Sequence, residues 1–378
     1  MRDASLPSRD REGAVLYQMN LNLLVLPGDG IGPEVTQAAM RVLGVVAQKW
    51  GHTLNIREGL LGGVAIDATG SPLPAETERG SREADAVFMG AVGAPKFDAL
   101  PPLQRPEAGL LAIRKAMGVY ANLRPVSSHK ALLDASPLKN HLVDGVDLVI
   151  VRELTGGLYY GTPRGIVDDA GEPRGINTMT YTQSEIDRIA RMAFELAGRR
   201  RKKVTSVDKS NVLETSQLWR RVVTAVAAEF PDVALDHILV DNCAMQLILN
   251  PKSFDVVVME NMFGDILSDE AAVLAGSIGM LPSASLGAKR ASGVRVGLYE
   301  PVHGSAPDIA GQNKANPFGA IGSAAAMLDY SFGLTEEAAA VNRAIGKVLE
   351  SGRVTADLRP KEKPATTVEA GEAVCQAI

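Results

Sequence analysis

Short apolar runs alternate with segments of helical periodicity along almost the whole chain, and this alternation restricts the fold more than any other feature. The strand-like runs are "LNLLVL", "ADAVFMG", "VDLVIVRE", "KVTSVDK", "LDHILVD" and "FDVVVMEN". Between them lie stretches such as "PEVTQAAMRVLGVVAQKW" and "TQSEIDRIARMAFELAG", whose apolar residues recur at helical spacing. The second carries Thr182 and Glu185 as a capping box and Gly198 at its end. Strand and helix in alternation imply an α/β fold with a largely parallel sheet. "YYGTPRGIVDDAGEPRGINTMTYT" breaks the rhythm and predicts a β-hairpin turning at 168–172, an excursion suited to a dimer interface. The last third, "ANPFGAIGSAAAMLDY" and "TEEAAAVNRAIGKVLESG", is helical and apolar on one side. At 378 residues there is room for about two domains. With 46% apolar but only 4% aromatic residues, their cores must be aliphatic.

Charge and cysteine usage narrow the partners. A net charge of −5 gives no electrostatic reason to expect nucleic acid or an anionic membrane. The one basic cluster, residues 199–203, reads as a helix C-terminus whose cations offset the macrodipole. Two cysteines, Cys243 and Cys375, form no framework and imply a reducing, cytoplasmic setting. The longest uncharged stretch, 271–288, is broken by Pro282, serines and glycines and makes a poor membrane span. Residues 1–18 mix acids and bases without an apolar core, so the expectation there is a disordered extension, or a start upstream of a true first residue at Met19.

"VLPGDGIGPEV" looks at first like a nucleotide-binding glycine loop. The dinucleotide fingerprint needs a third glycine five places after the first, but that position holds Pro33. Chemistry must therefore be sought elsewhere. Asp265 and Asp269 in "FGDILSDEAA" are four apart, so both carboxylates project from one helix face and repel each other unless a cation such as Mg²⁺ or Mn²⁺ lies between them. Two solvated helix acids are the alternative. They follow the run "FDVVVME", and ligands gather outside the carboxyl ends of such strands. Asp241, which ends "HILVD", is a possible third ligand.

Arg114, Arg124 and Arg152 stand in apolar or turn contexts. Arg152 follows a run that reads as a buried strand and must be paired, either with an acid such as Glu153 or with a substrate carboxylate. Lys209 ends another strand; beside arginines and a metal its pKa would fall and it could serve as a base. Tyr159 is a conditional proton donor. In "EPVHGSAPDIAGQNKANP", Gly304, Ser305 and Ala306 allow close backbone approach to a flat or phosphorylated ligand, and His303 could meet an adenine. Asp308 could hold a ribose 2′-hydroxyl and repel a 2′-phosphate, which selects NAD over NADP.

From about Asn20 to the C-terminus, "LPGDGIGPEV", "LLAIRKAMGVYANLRP", "VRELTGGLYYG", "VDKSNVLETS", "FGDILSDEAA" and "EPVHGSAPDIAG" occur in an order that resembles the isocitrate/isopropylmalate dehydrogenase family of β-decarboxylating dehydrogenases. The resemblance implies two interleaved α/β lobes that are not a Rossmann fold. Residues 19–119 with 276–378 would bind the cofactor, and 120–275 would dimerise and hold substrate and metal. It makes Arg114, Arg124 and Arg152 carboxylate clamps, and Asp265 and Asp269 metal ligands completed by Asp241 of a second subunit. Lys209, also from the second subunit, becomes the base and Tyr159 the acid. His303, Gly304, Ser305, Ala306, Asp308, Asn316 and Glu300 become the NAD site.

Within that resemblance Leu110 and Leu111 would offer apolar surface to an isopropyl group, joined by Val212 of the second subunit, which implies 3-isopropylmalate of leucine biosynthesis as the substrate. Homoisocitrate, tartrate or D-malate oxidation are rival activities, and a fold-retaining binding protein the rival without chemistry. The loop 287–300 is longer than compact members carry, and Ala94 and Phe97 replace the common Gly and Trp.

Overall fold

The structure is a computed structural model that describes residues 18–378 together with the short strands β1 (Ser8–Arg9) and β2 (Val15–Leu16), which pair antiparallel. The expectation for 1–18 otherwise lies outside the described residues. The N-terminal part continues through β3 (Asn20–Gly28), α1 (Gly32–Trp50), β4 (Thr53–Glu58), α2 (Gly63–Thr69), α3 (Ala75–Glu83), β5 (Ala86–Ala91) and α4 (Pro106–Met117). The middle runs β6 (Ala121–Ser127), α5 (Asn140–Val143), β7 (Asp147–Glu153), β8 (Gly165–Asp169), β9 (Glu172–Ile176), α6 (Gln183–Gly198), β10 (Lys203–Asp208), α7 (Glu214–Ala227), β11 (Ala234–Leu239), α8 (Val240–Leu249), β12 (Val256–Met259) and α9 (Asn261–Ala272). The chain ends in β13 (Pro282–Lys289), β14 (Arg295–Pro301), α10 (Phe318–Tyr330), α11 (Thr335–Ser351) and α12 (Thr367–Ala377).

Two compact units result: Met1–Gly118 with Gly279–Ile378, and Val119–Ile278. Gly276 groups with the middle segment, beside Leu132 and Ala135. In the first unit the strand order is β13-β14-β5-β3-β4; β14, β5, β3 and β4 are parallel and β13 antiparallel. In the second it is β11-β10-β12-β7-β6, with β6 the antiparallel member. The expected α/β fold with a largely parallel sheet is therefore observed. Interior strands such as β5 and β12 are buried at every residue, as parallel strands covered on both faces must be.

Aliphatic side chains build both cores. Leu24, Leu26, Leu61, Val87, Met89, Ile113 and Leu298 pack together in the first unit. Each such burial contributes roughly 1.5–3 kcal/mol. In the second unit Ile186, Ile189, Ala190, Ala193, Phe194 and Ala197 form the buried stripe of α6. Thr182 and Glu185 form the capping box read from the sequence. The cationic run after α6 has a more specific use than offsetting a dipole: Arg200 reaches both Asp147 and the buried Asp255, each at 2.8 Å.

The hairpin is β8–β9, turning through Ala170 and Gly171 at positive φ. Its strands are exposed at nearly every residue, Ile166 at 82%. Among the described residues no helix is long and apolar enough to cross a membrane.

The "GDGIG" turn is a structural knot of the first unit. The buried carboxylate of Asp29 accepts from three backbone N–H groups: Gly63 at 2.8 Å, Val64 at 2.8 Å and Gly93 at 2.9 Å. It thereby caps α2 and holds the turn after β5. Gly30, at φ +57, lies so close to Ser305 that a Cβ would sit 2.0 Å from its carbonyl oxygen, while Ile31 N donates to that oxygen at 2.8 Å. The turn therefore braces the loop after β14. Asp29→Ala should leave three backbone donors without their acceptor, that of Gly63 fully buried, and cost roughly 2–4 kcal/mol, to be read from urea denaturation.

Candidate active site

In the second unit the helix α9 starts directly after β12, so its first turns stand at the carboxyl end of the parallel strands, where open α/β sheets hold ligands. Glu260 caps it by accepting from Met262 N and Phe263 N. Asp265 and Asp269 then fall one turn apart on the face that meets β6 and β7. Arg124 of β6 donates through Nη1 to Asp269 at 2.9 Å and to Ser268 Oγ at 2.6 Å. Arg152 of β7 donates through Nη1 to Asp265 Oδ1, and Tyr159 OH donates to Asp265 Oδ2 at 2.9 Å. Asp265 is 38% exposed and Asp269 63%, whereas the side chain of Arg152 is 6% exposed. The guanidiniums are thus built in from below and the carboxylates face outward.

Buried guanidiniums are tolerable only when matched. The sequence offered Glu153 as a partner of Arg152, and the structure excludes it. Adjacent strand residues point to opposite faces. Glu153 instead accepts from Thr155 N at 3.0 Å and Gly156 N at 2.7 Å and pairs with Arg188. The inner edge of Arg152 is met by Asn261 Oδ1, which accepts from Nε at 3.0 Å and Nη2 at 2.8 Å. Sequence reasoning missed Asn261; the alternation of Arg152 and Glu153 across the strand was the available signal. Burial, then the hydrogen bond to Asp265 and its charge, raise the pKa of the Tyr159 phenol, which stays protonated and able to donate.

Lys209, directly after β10, donates to Asp241 in the first turn of α8 at 2.7 Å, and this contact lowers the Asp241 pKa. Both stand at the carboxyl ends of strands. Within one chain they form a piece separate from the α9 pair. Among the described residues no group of three or more His, Cys, Asp or Glu is gathered to hold a metal.

In the first unit Arg114 is buried and pairs with Glu300 at 2.7 Å, with its Nε left unpartnered. Leu110 packs partly against the core around Ile113, and Leu111 is 44% exposed. His303 Nδ1 contacts Gly304 O at 2.9 Å, while Nε2 is buried without a partner; burial lowers its pKa and keeps the ring neutral. Ser305 is buried, Gly304 and Asp308 are exposed, and Ala306 sits at φ +37, a strained value for a residue with a side chain. Asn316 is engaged on both sides, donating to Asp357 at 2.8 Å and accepting from Phe318 N at 2.9 Å, where it caps α10.

Outward-facing paired carboxylates set among buried guanidiniums and a protonated phenol distinguish the α9 face, in a chain of two α/β units. Comparison with known proteins narrows the class. The family model described as isocitrate/isopropylmalate dehydrogenase matches residues 22–374, and the chain belongs to that family. It is 62% identical over 341 residues to the 3-isopropylmalate dehydrogenase of Geobacillus kaustophilus (strain HTA426), covering 90% of this chain and 91% of that one. It is 56% identical over 361 residues to the enzyme of the same name from Bacillus subtilis (strain 168), covering 95% and 98%. Among solved structures it matches isocitrate dehydrogenase from Methylococcus capsulatus at TM-score 0.82 and 34% identity, over 96% of this chain and 99% of that one. It also matches a β-decarboxylating dehydrogenase from Thermococcus kodakarensis at TM-score 0.77 and 36% identity, over 96% of each.

Gly264 admits Arg152 beneath α9: a Cβ there would lie 2.5 Å from Arg152 Cγ. Gly264→Ala should cost about 1–3 kcal/mol through overpacking and displace the guanidinium, so activity should fall further than the denaturation midpoint alone explains.

Proposed function

We propose that the chain oxidises 3-isopropylmalate at C2 and decarboxylates it to 4-methyl-2-oxopentanoate in leucine biosynthesis, with NAD as hydride acceptor and Mg²⁺ or Mn²⁺ at the acidic pair. The observation that carries the reading is the joint engagement of Asp265 by Arg152 and Tyr159, beside the Arg124–Asp269 pair. Two guanidiniums balance two carboxylates there, so a dication and a dicarboxylate can enter together without leaving net charge.

The donor set suits a hard cation: carboxylate oxygens, exposed and one helical turn apart. The loop 303–308 suits a dinucleotide: the unpartnered His303 Nε2 offers a polar contact to a base, and the exposed Asp308 a contact to a ribose. Ser305 and Ala306 belong to the same loop, Asn316 would join them from the start of α10, and Glu300 acts through Arg114. When bound, the metal held by Asp265 and Asp269 would draw charge from the C2 oxygen, and NAD would accept the hydride.

The chain's own groups do the rest. Arg114, Arg124 and Arg152 hold the two carboxylates of the acid. Lys209 accepts the C2 hydroxyl proton, and Asp241, which it contacts, keeps its amine in place. Tyr159, protonated over the working pH range, delivers a proton to C3 after carbon dioxide leaves. Leu111, with Leu110 behind it, offers surface for the isopropyl group, a contact worth ~1–3 kcal/mol in discrimination.

The active centre forms in a homodimer, where Lys209 and Asp241 of one subunit complete the α9 pair of the other. Support comes from apolar side chains on the second unit: Met245 and Leu249 on α8 are 55% and 63% exposed, Ile266 on α9 60%, and Val212 beside Lys209 61%. Surface of this kind marks association. The free cysteines fit a reducing cytoplasm.

The first test is NADH formation with 3-isopropylmalate, NAD and Mn²⁺ beside isocitrate, homoisocitrate, tartrate and D-malate. Preference for isopropylmalate, abolished by chelator, is expected; preference for another acid overturns the substrate reading. Asp308→Lys should weaken NAD use and relieve rejection of NADP, and an unchanged preference would remove Asp308 from the cofactor site. Mixing inactive Lys209→Ala and Asp269→Ala subunits should restore part of the activity. If no mixture regains any, the sites are not shared.

A further inference from the structure

We propose that Asn261 is a positioning residue that sets the direction of the Arg152 guanidinium and the place of Tyr159, and so the carboxylate-binding geometry of the α9 centre. The inference rests on the reading of that centre as the substrate site.

A side-chain amide has two acceptor lone pairs and two N–H donors. All four are used at Asn261. Oδ1 accepts from Nε and Nη2 of Arg152, and Nδ2 donates to Leu154 O at 3.2 Å and Gly156 O at 3.0 Å. Turning the amide over would set N–H against N–H and oxygen against oxygen, so its orientation is unique. Because a guanidinium is a planar fork, holding two of its nitrogens fixes the third, and Nη1 is directed at Asp265. The same amide pins residues 154–156, which lead within three residues to Tyr159, whose hydroxyl meets the other oxygen of Asp265.

Asn261 is itself clamped. It is 1% exposed, and its backbone N–H donates to Tyr181 OH at 3.0 Å, while Tyr181 donates to Glu260 at 3.2 Å. Glutamine is too long for this space. Aspartate would keep the acceptor for Arg152 but turn a second oxygen towards two carbonyls, and its charge would compete with Asp265 for the guanidinium.

The test is a double-mutant cycle. Asn261→Ala and Asn261→Asp, each alone and with Arg152→Lys, are compared by steady-state kinetics on the intact protein. Either Asn261 variant should raise KM for 3-isopropylmalate about ten-fold or more, while KM for NAD stays within about two-fold. In the Arg152→Lys background the further loss should nearly vanish, because groups acting through one another are non-additive. Multiplying effects, a parallel rise in both KM values, or an Asn261→Asp enzyme that behaves as wild type would each overturn the proposal.

A readout independent of turnover separates this proposal from the function reading. In nitrogen-15 spectra the Arg152 Nε–H signal, assigned by its loss in Arg152→Lys, should be protected from exchange in the wild type and lose protection in Asn261→Ala. Unchanged protection overturns the proposal. A wild type inactive on 3-isopropylmalate whose Asn261→Ala variant shows this loss overturns the function reading alone.

Discussion

Placing a guanidinium at the end of an interior strand commits the surrounding structure. A buried, unmatched arginine is costly and cannot escape by losing its proton. The second unit meets this demand around Arg152 with one residue for each edge of the fork: Asn261 inside and Asp265 outside. Helix α9 supplies both. It can come close enough only because Gly264 has no side chain, and it begins where it does because Glu260 caps it. The orientation of Asp265, the donation from Tyr159 and the outward presentation of the acidic pair follow from that one matched charge.

The first unit solves a different problem with the same economy. Its parallel strands end in turns whose backbone N–H groups would be left unpaired, and Asp29 gathers three of them. The "GDGIG" turn is therefore a packing element. Its glycine spacing serves close backbone packing, most tightly at Gly30 against Ser305. Through that contact the β3–α1 turn carries the loop of His303, Ser305 and Asp308, whose strained Ala306 is held in place by its neighbours. A motif that fails as a nucleotide fingerprint thus supports the loop after β14 from behind.

Periodicity in the sequence was enough to read the α/β class, the parallel strands, the capping box of α6 and the hairpin turn, because each depends on residues near one another along the chain. The site residues were legible as types: paired acids four apart, arginines in apolar settings, a lysine and an aspartate each ending a strand. Their partners were not. Glu153 stood next to Arg152 in the chain yet faces the opposite side of the strand. Asn261, more than a hundred positions away, fills the role.

The amino-acid sequence by itself determined the alternation of elements, the aliphatic cores and the family to which the chain belongs. Those rest on local pattern and on motifs that survive as strings. Only the tertiary structure decided that Arg152 is oriented by an amide, that Arg114 is held by Glu300, that Lys209 contacts Asp241, and that the glycine turn serves packing. These are pairings between distant parts of the chain, chosen by burial: a buried donor must find its acceptor wherever the packed elements bring one within reach.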